Sequence, residues 1–211
     1  RFTLELIQLI RSMNALHPDV FLPALKASDI RKAKRQGKIA SFIAVESGIG
    51  IGDRLEMLDI FYGLGARYMT LCHNETLDWV DSATDAPRHN GITEFGRSVI
   101  HRMNELGLLI DLSHTTPKVM HDVLDVTSAP VAITHANART LCDHPRNVED
   151  SVLERLKANG GIVMATFVPT FINQALRDWI KPLQTHGKAP LDADIKTLIE
   201  AVSYTHLTLP T

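Results

Sequence analysis

The apolar and polar positions of this chain repeat one unit: a short run of Ile, Val and Leu, a residue that can bind or titrate, then a segment with apolar residues at helical spacing. The unit is clearest at residues 108–135, which read LLIDLSH, TTPKVMHDVLDVTSA and PVAITH. The middle segment carries Val119, Met120, Val123 and Leu124 at helical spacing, and the outer runs stop at His114 and His135. Apolar runs that do not alternate with polar residues predict strands buried on both faces, as in parallel sheets covered by helices. Two imidazoles at the carboxyl ends of neighbouring parallel strands supply half of a metal site.

The same grammar recurs on both sides. Residues 38–46, KIASFIAVE, predict a strand ending at Glu46. A helix over 53–64 follows, with Leu55, Leu58, Phe61 and Leu64 on one face, and then a strand over 67–73, RYMTLCH, ending at His73. Thr93 can cap a helix through Leu106 that buries Phe95, Val99, Ile100 and Met103, with Gly107 as its stop. In the central unit Thr116 is the N-cap and Pro117 takes the first helical position, where a missing N–H costs nothing. Residues 149–159 form a helix that is acidic at its start and basic near its end, matching the helix dipole, and 162–168, IVMATFV, form a fifth strand.

The flanking segments are less repetitive. Residues 2–16 place Phe2, Leu6, Leu9, Ile10 and Met13 on one face of an amphipathic helix, and His17-Pro18-Asp19 then reads as a polar turn rather than a ligand pair. A basic helical segment at 28–36 presents a solvated face. Residues 74–91 form a long polar loop with Asp78, Trp79, Asp81, Asp85, Pro87 and Arg88; loops of that length inside compact domains are usually functional or disordered, and this one is expected to border the site. A less regular stretch after 168 leads to a helix at 192–202, and residues 203–211, SYTHLTLPT, continue no pattern.

Successive strand-helix units predict a parallel α/β protein, either a doubly wound sheet or a (β/α)8 barrel. No glycine-rich phosphate loop follows any strand, which argues against dinucleotide binding. In a barrel the strand carboxyl ends converge on one mouth, bringing Glu46, His73, His114 and His135 together. A lone strand-end histidine is more often simply packed, but three with a glutamate in equivalent places argue for a shared polar site. Composition changes the picture little. With 211 residues, 45% hydrophobic content and a formal charge of -2, the chain can build one substantial core and lacks the charge of a nucleic-acid binder. Cys72 and Cys142 read as free thiols, and no apolar run is long enough to span a membrane.

A carboxylate among histidines suits zinc or a similar divalent ion, and Glu46 has two oxygens with which to bridge a pair of ions. Paired ions can hold a hydroxide and polarise a scissile carbonyl, which is hydrolase chemistry. No G-x-S-x-G elbow is present, so Ser113 reads as a structural neighbour of His114 rather than a nucleophile.

The segments IAVESG, GLGARYMTLCHNETLDW, NGITEFGRSVIHRMNELGLLIDLSH, APVAITHANAR, HPRNVED and GGIVMATFV, in unbroken order from 37 to 168, resemble the renal or membrane dipeptidases, a family of zinc peptidases. The resemblance implies a binuclear zinc site in which Glu46 bridges the ions and His114 and His135 bind one of them. His73 would contact the substrate and steady the oxyanion of the tetrahedral intermediate, giving His73 and Glu46 catalytic roles. Arg146 would pair with the free carboxylate of a dipeptide substrate, D-residue dipeptides included. The family's first strand carries a His-x-Asp pair for the other ion and a late strand supplies an acid; neither has a counterpart here, and Ser47-Gly48-Ile49 stands where Gly-Gly-His is common. The expectation is a partial (β/α)8 TIM-type barrel with about five of eight parallel strands, one incomplete domain over 1–202 and a non-family tail over 203–211. Such a chain would be a fragment with one incomplete site and little activity of its own. The family reading allows a homodimer, involves no nucleic acid, and assigns no compartment. Two rival readings stand beside it: another metal-dependent barrel amidohydrolase, favoured by a bridging lysine that no strand here supplies, and a non-catalytic binding remnant.

Overall fold

A computed structural model describes residues 2–185. The helix expected at 192–202, the domain limit at 202 and the tail at 203–211 lie outside the described residues.

The chain opens with helix α1 (Phe2–Leu16), followed by β1 (Phe21–Pro23), α2 (Ala27–Arg35), β2 (Ile39–Ser41) and β3 (Ile43–Glu46). A 3-10 turn (Gly48–Ile51) leads into α3 (Glu56–Gly63), β4 (Ala66–Thr70), α4 (Glu94–Leu106), β5 (Leu109–Asp111) and α5 (Pro117–Val126). Then come β6 (Ala132–Ile133), α6 (Asp150–Asn159), β7 (Ile162–Val163), α7 (Pro169–Ile172) and α8 (Gln174–Thr185). Five strands make one all-parallel sheet in the order β3-β4-β5-β6-β7, with a helix between each successive pair. Strand order that follows chain order without reversal is barrel winding; a doubly wound sheet would reverse at a switch point. The sheet is therefore part of a (β/α)8-type barrel.

The helix boundaries follow their caps. Thr93 accepts the Gly96 N–H through its side chain, Thr116 accepts that of Val119, and Pro117 fills the first position of α5. Gly107 ends α4 in the left-handed conformation, φ 71°. The core runs between sheet and helices through Leu58, Phe61, Met69, Val99, Ile100, Met103, Ile110, Val119 and Met120.

Four details differ from the sequence expectation. Residues 38–46 are two strands, not one: β2 pairs with β1 in a separate two-stranded sheet, and beyond Phe42 the chain joins the main sheet as β3. Periodicity signals extension, not which sheet a strand joins. Helix α1 forms where expected but is rolled: Ile7 is buried, Leu4 and Ile10 pack beside it, and Phe2, Leu6, Leu9 and Met13 are exposed. The helix carries two apolar stripes, and the Leu4–Ile7–Ile10 stripe is the one that meets the core. The fifth strand stops at Val163, and residues 169–185, where no element was expected, hold α7 and α8. Finally, the 74–91 loop is less polar in place than in composition, since Trp79 and Val80 are fully buried.

Candidate metal centre

Strand register sets the floor of the site. Glu46 is level with Thr70, Thr70 with Asp111, and Asp111 with Ala132, so the carboxyl ends of β3 to β6 form one tier. Glu46 closes β3 itself, whereas His73, His114 and His135 lie two or three residues beyond the ends of β4, β5 and β6. All four side chains rise from that tier.

Three of them meet at a point. The Nε2 atoms of His114 and His135 are 2.9 Å apart, and Glu46 Oε1 is 3.4 Å from the first and 3.5 Å from the second. A tetrahedral zinc with bonds of about 2.0–2.1 Å holds its ligand atoms roughly 3.3 Å from one another. The set therefore has the spacing of one face of a coordination tetrahedron. Among the described residues the grouped ligands are Glu46, His114 and His135; His17 and Asp19 lie on the exposed turn after α1 and are not among them. The polar-turn reading of that triplet agrees with its position.

His73 stacks on His114, ring centroids 4.2 Å apart and tilted by 37°, so it borders the ligand set without joining it. It faces a cleft of about 360 Å³ shared with Glu46, Asn74, Glu75 and Leu77, so the 74–91 loop does border the site. Arg146, only 6% exposed, keeps Nε and Nη2 buried with no hydrogen-bond partner. Buried donors are normally satisfied, so two orphaned N–H groups on one guanidinium mark a seat for an acceptor.

Electrostatics favours the ligating form of the histidines. Burial, followed by the positive charge of Arg146, pushes His114 down to about 3. Burial and then Arg146 also hold His135 below its usual value, against the upward pull of Asp111 and Glu46. Neutral imidazole is the form that binds metal. Burial draws Arg146 itself down to about 10, with Glu46 opposing, so the guanidinium is charged at neutral pH.

The family model for membrane dipeptidases, peptidase family M19, matches residues 1–207. The chain belongs to the membrane dipeptidase family. Dipeptidase tcpJ from Claviceps purpurea is 42% identical over 175 residues, a match covering 82% of this chain and 41% of that protein. A crystal structure of an amidohydrolase from Pseudomonas aeruginosa superposes with a TM-score of 0.75 at 28% identity, over 81% of this chain and 52% of the other. A metallopeptidase from Rhodobacter sphaeroides, crystallised with a phosphinate mimic of the dipeptide L-Ala-D-Ala, gives a TM-score of 0.72 at 25% identity, over 79% of this chain and 49% of the other. The chain thus spans about two fifths of that curated relative and about half of the solved chains.

Membership of a metallopeptidase family agrees with the ligand set. The site also relies on residues to which the sequence assigned no role. Asp111 is fully buried and anchors the tier: its Oδ2 accepts the hydroxyls of Thr70 and Thr134, both at 2.7 Å, and its Oδ1 accepts Ser113 N and Oγ and Thr134 N. Ser113 is occupied by that carboxylate, in keeping with its reading as a structural neighbour. Asp81, also fully buried, accepts the N–H groups of Arg88, His89 and Gly91 and so folds the 74–91 loop around itself. His144 stacks on Phe171 at 4.2 Å, and Phe171 lies 5.5 Å from the Arg146 guanidinium. The signal for Asp111 and Thr134 was available: each is a polar residue closing an apolar run just before a histidine.

Proposed function

We propose that this chain carries a substantial part of the active site of a zinc-dependent dipeptidase, with Glu46, His114 and His135 as metal ligands. The observation that carries the reading is the convergence of these three ligand atoms beside a buried arginine with unpaired donors. In the proposed site Arg146 receives the terminal carboxylate of the substrate, a bidentate pairing for which the guanidinium fork is shaped. His73, at the cleft edge, contacts the scissile unit and steadies the negative charge that develops on its oxygen. Glu46, with two carboxylate oxygens, is the residue that would also hold a second ion. Bound zinc would supply Lewis-acid polarisation of the scissile carbonyl. A D-residue at the carboxyl side is compatible with recognition by its carboxylate, and the Rhodobacter sphaeroides neighbour was crystallised with a mimic of such a dipeptide.

The test is metal content per chain by elemental analysis of the purified protein, with Glu46→Ala and His114→Ala as controls, followed by assays on Gly-D-Ala and Gly-L-Leu. Three grouped ligands predict one zinc per chain, lost in both variants, and little hydrolysis by these 211 residues alone. Two ions per chain, lost in the variants, would overturn the count and point to ligands outside the set. No bound ion at all would overturn the metal reading.

A further inference from the structure

We infer that Thr134, held by Asp111, is a positioning residue that locks the tautomer of His135 and so aims its Nε2 lone pair at the ligand point. The inference rests on the metal-site reading but is argued from protons on this chain alone.

Thr134 Oγ1 lies 2.7 Å from Asp111 Oδ2, 2.8 Å from His135 Nδ1 and 3.3 Å from Ser113 Oγ. A hydroxyl has one proton to give. The Asp111 carboxylate can only accept, so the 2.7 Å contact takes the threonine proton; otherwise two acceptors would face each other in a buried place. The proton in the remaining 2.8 Å contact must then come from His135 Nδ1–H. Ser113 cannot supply a different answer, because its own hydroxyl is 2.8 Å from Asp111 Oδ1 and its oxygen accepts the His135 backbone N–H at 3.1 Å. With Nδ1 protonated, a neutral His135 carries its lone pair on Nε2, the atom that faces His114 Nε2 and Glu46. Asp111 thereby fixes His135 twice, its ring through Thr134 and its backbone through Ser113. Such partners of a metal-binding histidine typically contribute 10- to 100-fold in metal affinity.

The experiment reads the tautomer and the affinity separately. Ring ¹⁵N shifts of His135 are recorded on the metal-free protein in mildly alkaline buffer, and zinc affinity is measured by competition with a chromophoric chelator. The unmodified protein should show His135 as the Nδ1–H form. Thr134→Val, which keeps the shape and removes the hydroxyl, should lose that preference and bind zinc roughly 10- to 100-fold more weakly. Thr134→Ser, which restores the hydroxyl, should recover both, and far-ultraviolet circular dichroism should be the same for all three. An Nε2–H form in the unmodified protein overturns the inference without recourse to any variant. So does a valine variant with unchanged tautomer and affinity. An Nδ1–H signal in a protein that binds no zinc supports the lock and overturns the metal reading, so the two failures are distinguishable.

Discussion

The buried carboxylate of Asp81 offers the sharpest test of how the site is held. Its Oδ1 accepts Arg88 N at 2.8 Å and His89 N at 3.1 Å, and its Oδ2 accepts Gly91 N at 3.0 Å. Burial alone would raise its pKa, but the Gly91, Arg88 and His89 N–H groups outweigh it and hold the carboxyl below its ordinary value. In Asp81→Asn one oxygen becomes an NH2 group. Whichever way the amide turns, a donor then faces the N–H of either Arg88 or Gly91 in a fully buried site. Losing a hydrogen bond to a charged acceptor costs about 1.5–3 kcal/mol, and stranding a buried N–H costs about 1–3 kcal/mol, with partial relaxation between them. The expected destabilisation is roughly 2–4 kcal/mol. At a urea m-value of about 2 kcal/mol/M the unfolding midpoint should fall by roughly 1–2 M. The sign in pH follows from the lowered pKa: the contribution is present above the unfolded carboxylate value and is lost as pH falls through the folded one. Asp85→Asn is the control, because Asp85 also accepts two backbone N–H groups but is exposed to water, which can replace them. If Asp81→Asn moved the midpoint no further than Asp85→Asn, the buried-hub argument would be wrong.

Other outcomes follow from the same contacts. Zinc at 100 times its dissociation constant should stabilise the protein by about 2.7 kcal/mol, read as a Tm rise of roughly 5–10 °C that His114→Ala abolishes. Burial, then Arg177 and Arg146, push His144 down to about 4, so between that value and the unfolded value of about 6.5 the unfolded chain binds more protons and stability rises with pH. His144→Asn, whose side-chain oxygen can replace Nδ1 as acceptor for the Arg146 N–H, should flatten that slope by up to about 1 kcal/mol per pH unit in urea titrations. Gly48→Ala should cost about 1–3 kcal/mol, because a Cβ there meets the Trp79 ring and the Leu71 carbonyl, while Gly63→Ala, with open space around it, should be neutral or slightly stabilising.

Much of the site was legible because each chemical residue sits where an apolar run stops. Glu46, His114 and His135 were singled out by that rule alone, and the structure brings their side-chain atoms together. Helix limits at 93–107 and 116–117 were legible because capping is local chemistry that needs no tertiary knowledge. Facing direction was not. Helix α1 has two apolar stripes, and which one turns inward depends on β3, a partner the local pattern does not name. Arg146 could not be singled out without the resemblance, since an arginine in a loop looks solvated until its neighbours bury it. The 74–91 loop misled in the same way: its acids suggest water, yet one of them is the hub on which the loop is folded.

That hub reaches the proposed metal ligands through a strained residue. His114 has φ 70°, a left-handed conformation that costs a non-glycine residue about 1–3 kcal/mol unless its surroundings over-determine it. Here the 74–91 loop does so: Ala83 N donates to the His114 carbonyl at 2.7 Å, and Ser82 and Thr115 form an antiparallel bridge beside it. Asp81 folds that loop, the loop fixes the His114 backbone, and the fixed backbone aims Nε2 at Glu46 and His135. No side chain hydrogen-bonds Nδ1 of His114, so the backbone restraint has no side-chain substitute at that atom. The two histidines are therefore positioned by different means, His135 through side-chain hydrogen bonds to Thr134 and His114 through strain imposed by a loop. Loosening the loop should thus lower metal affinity before it unfolds the sheet, because the His114 carbonyl then loses its Ala83 and Ser82 contacts and keeps only the long one from Cys72 Sγ, while the β3 to β7 ladder does not depend on the loop.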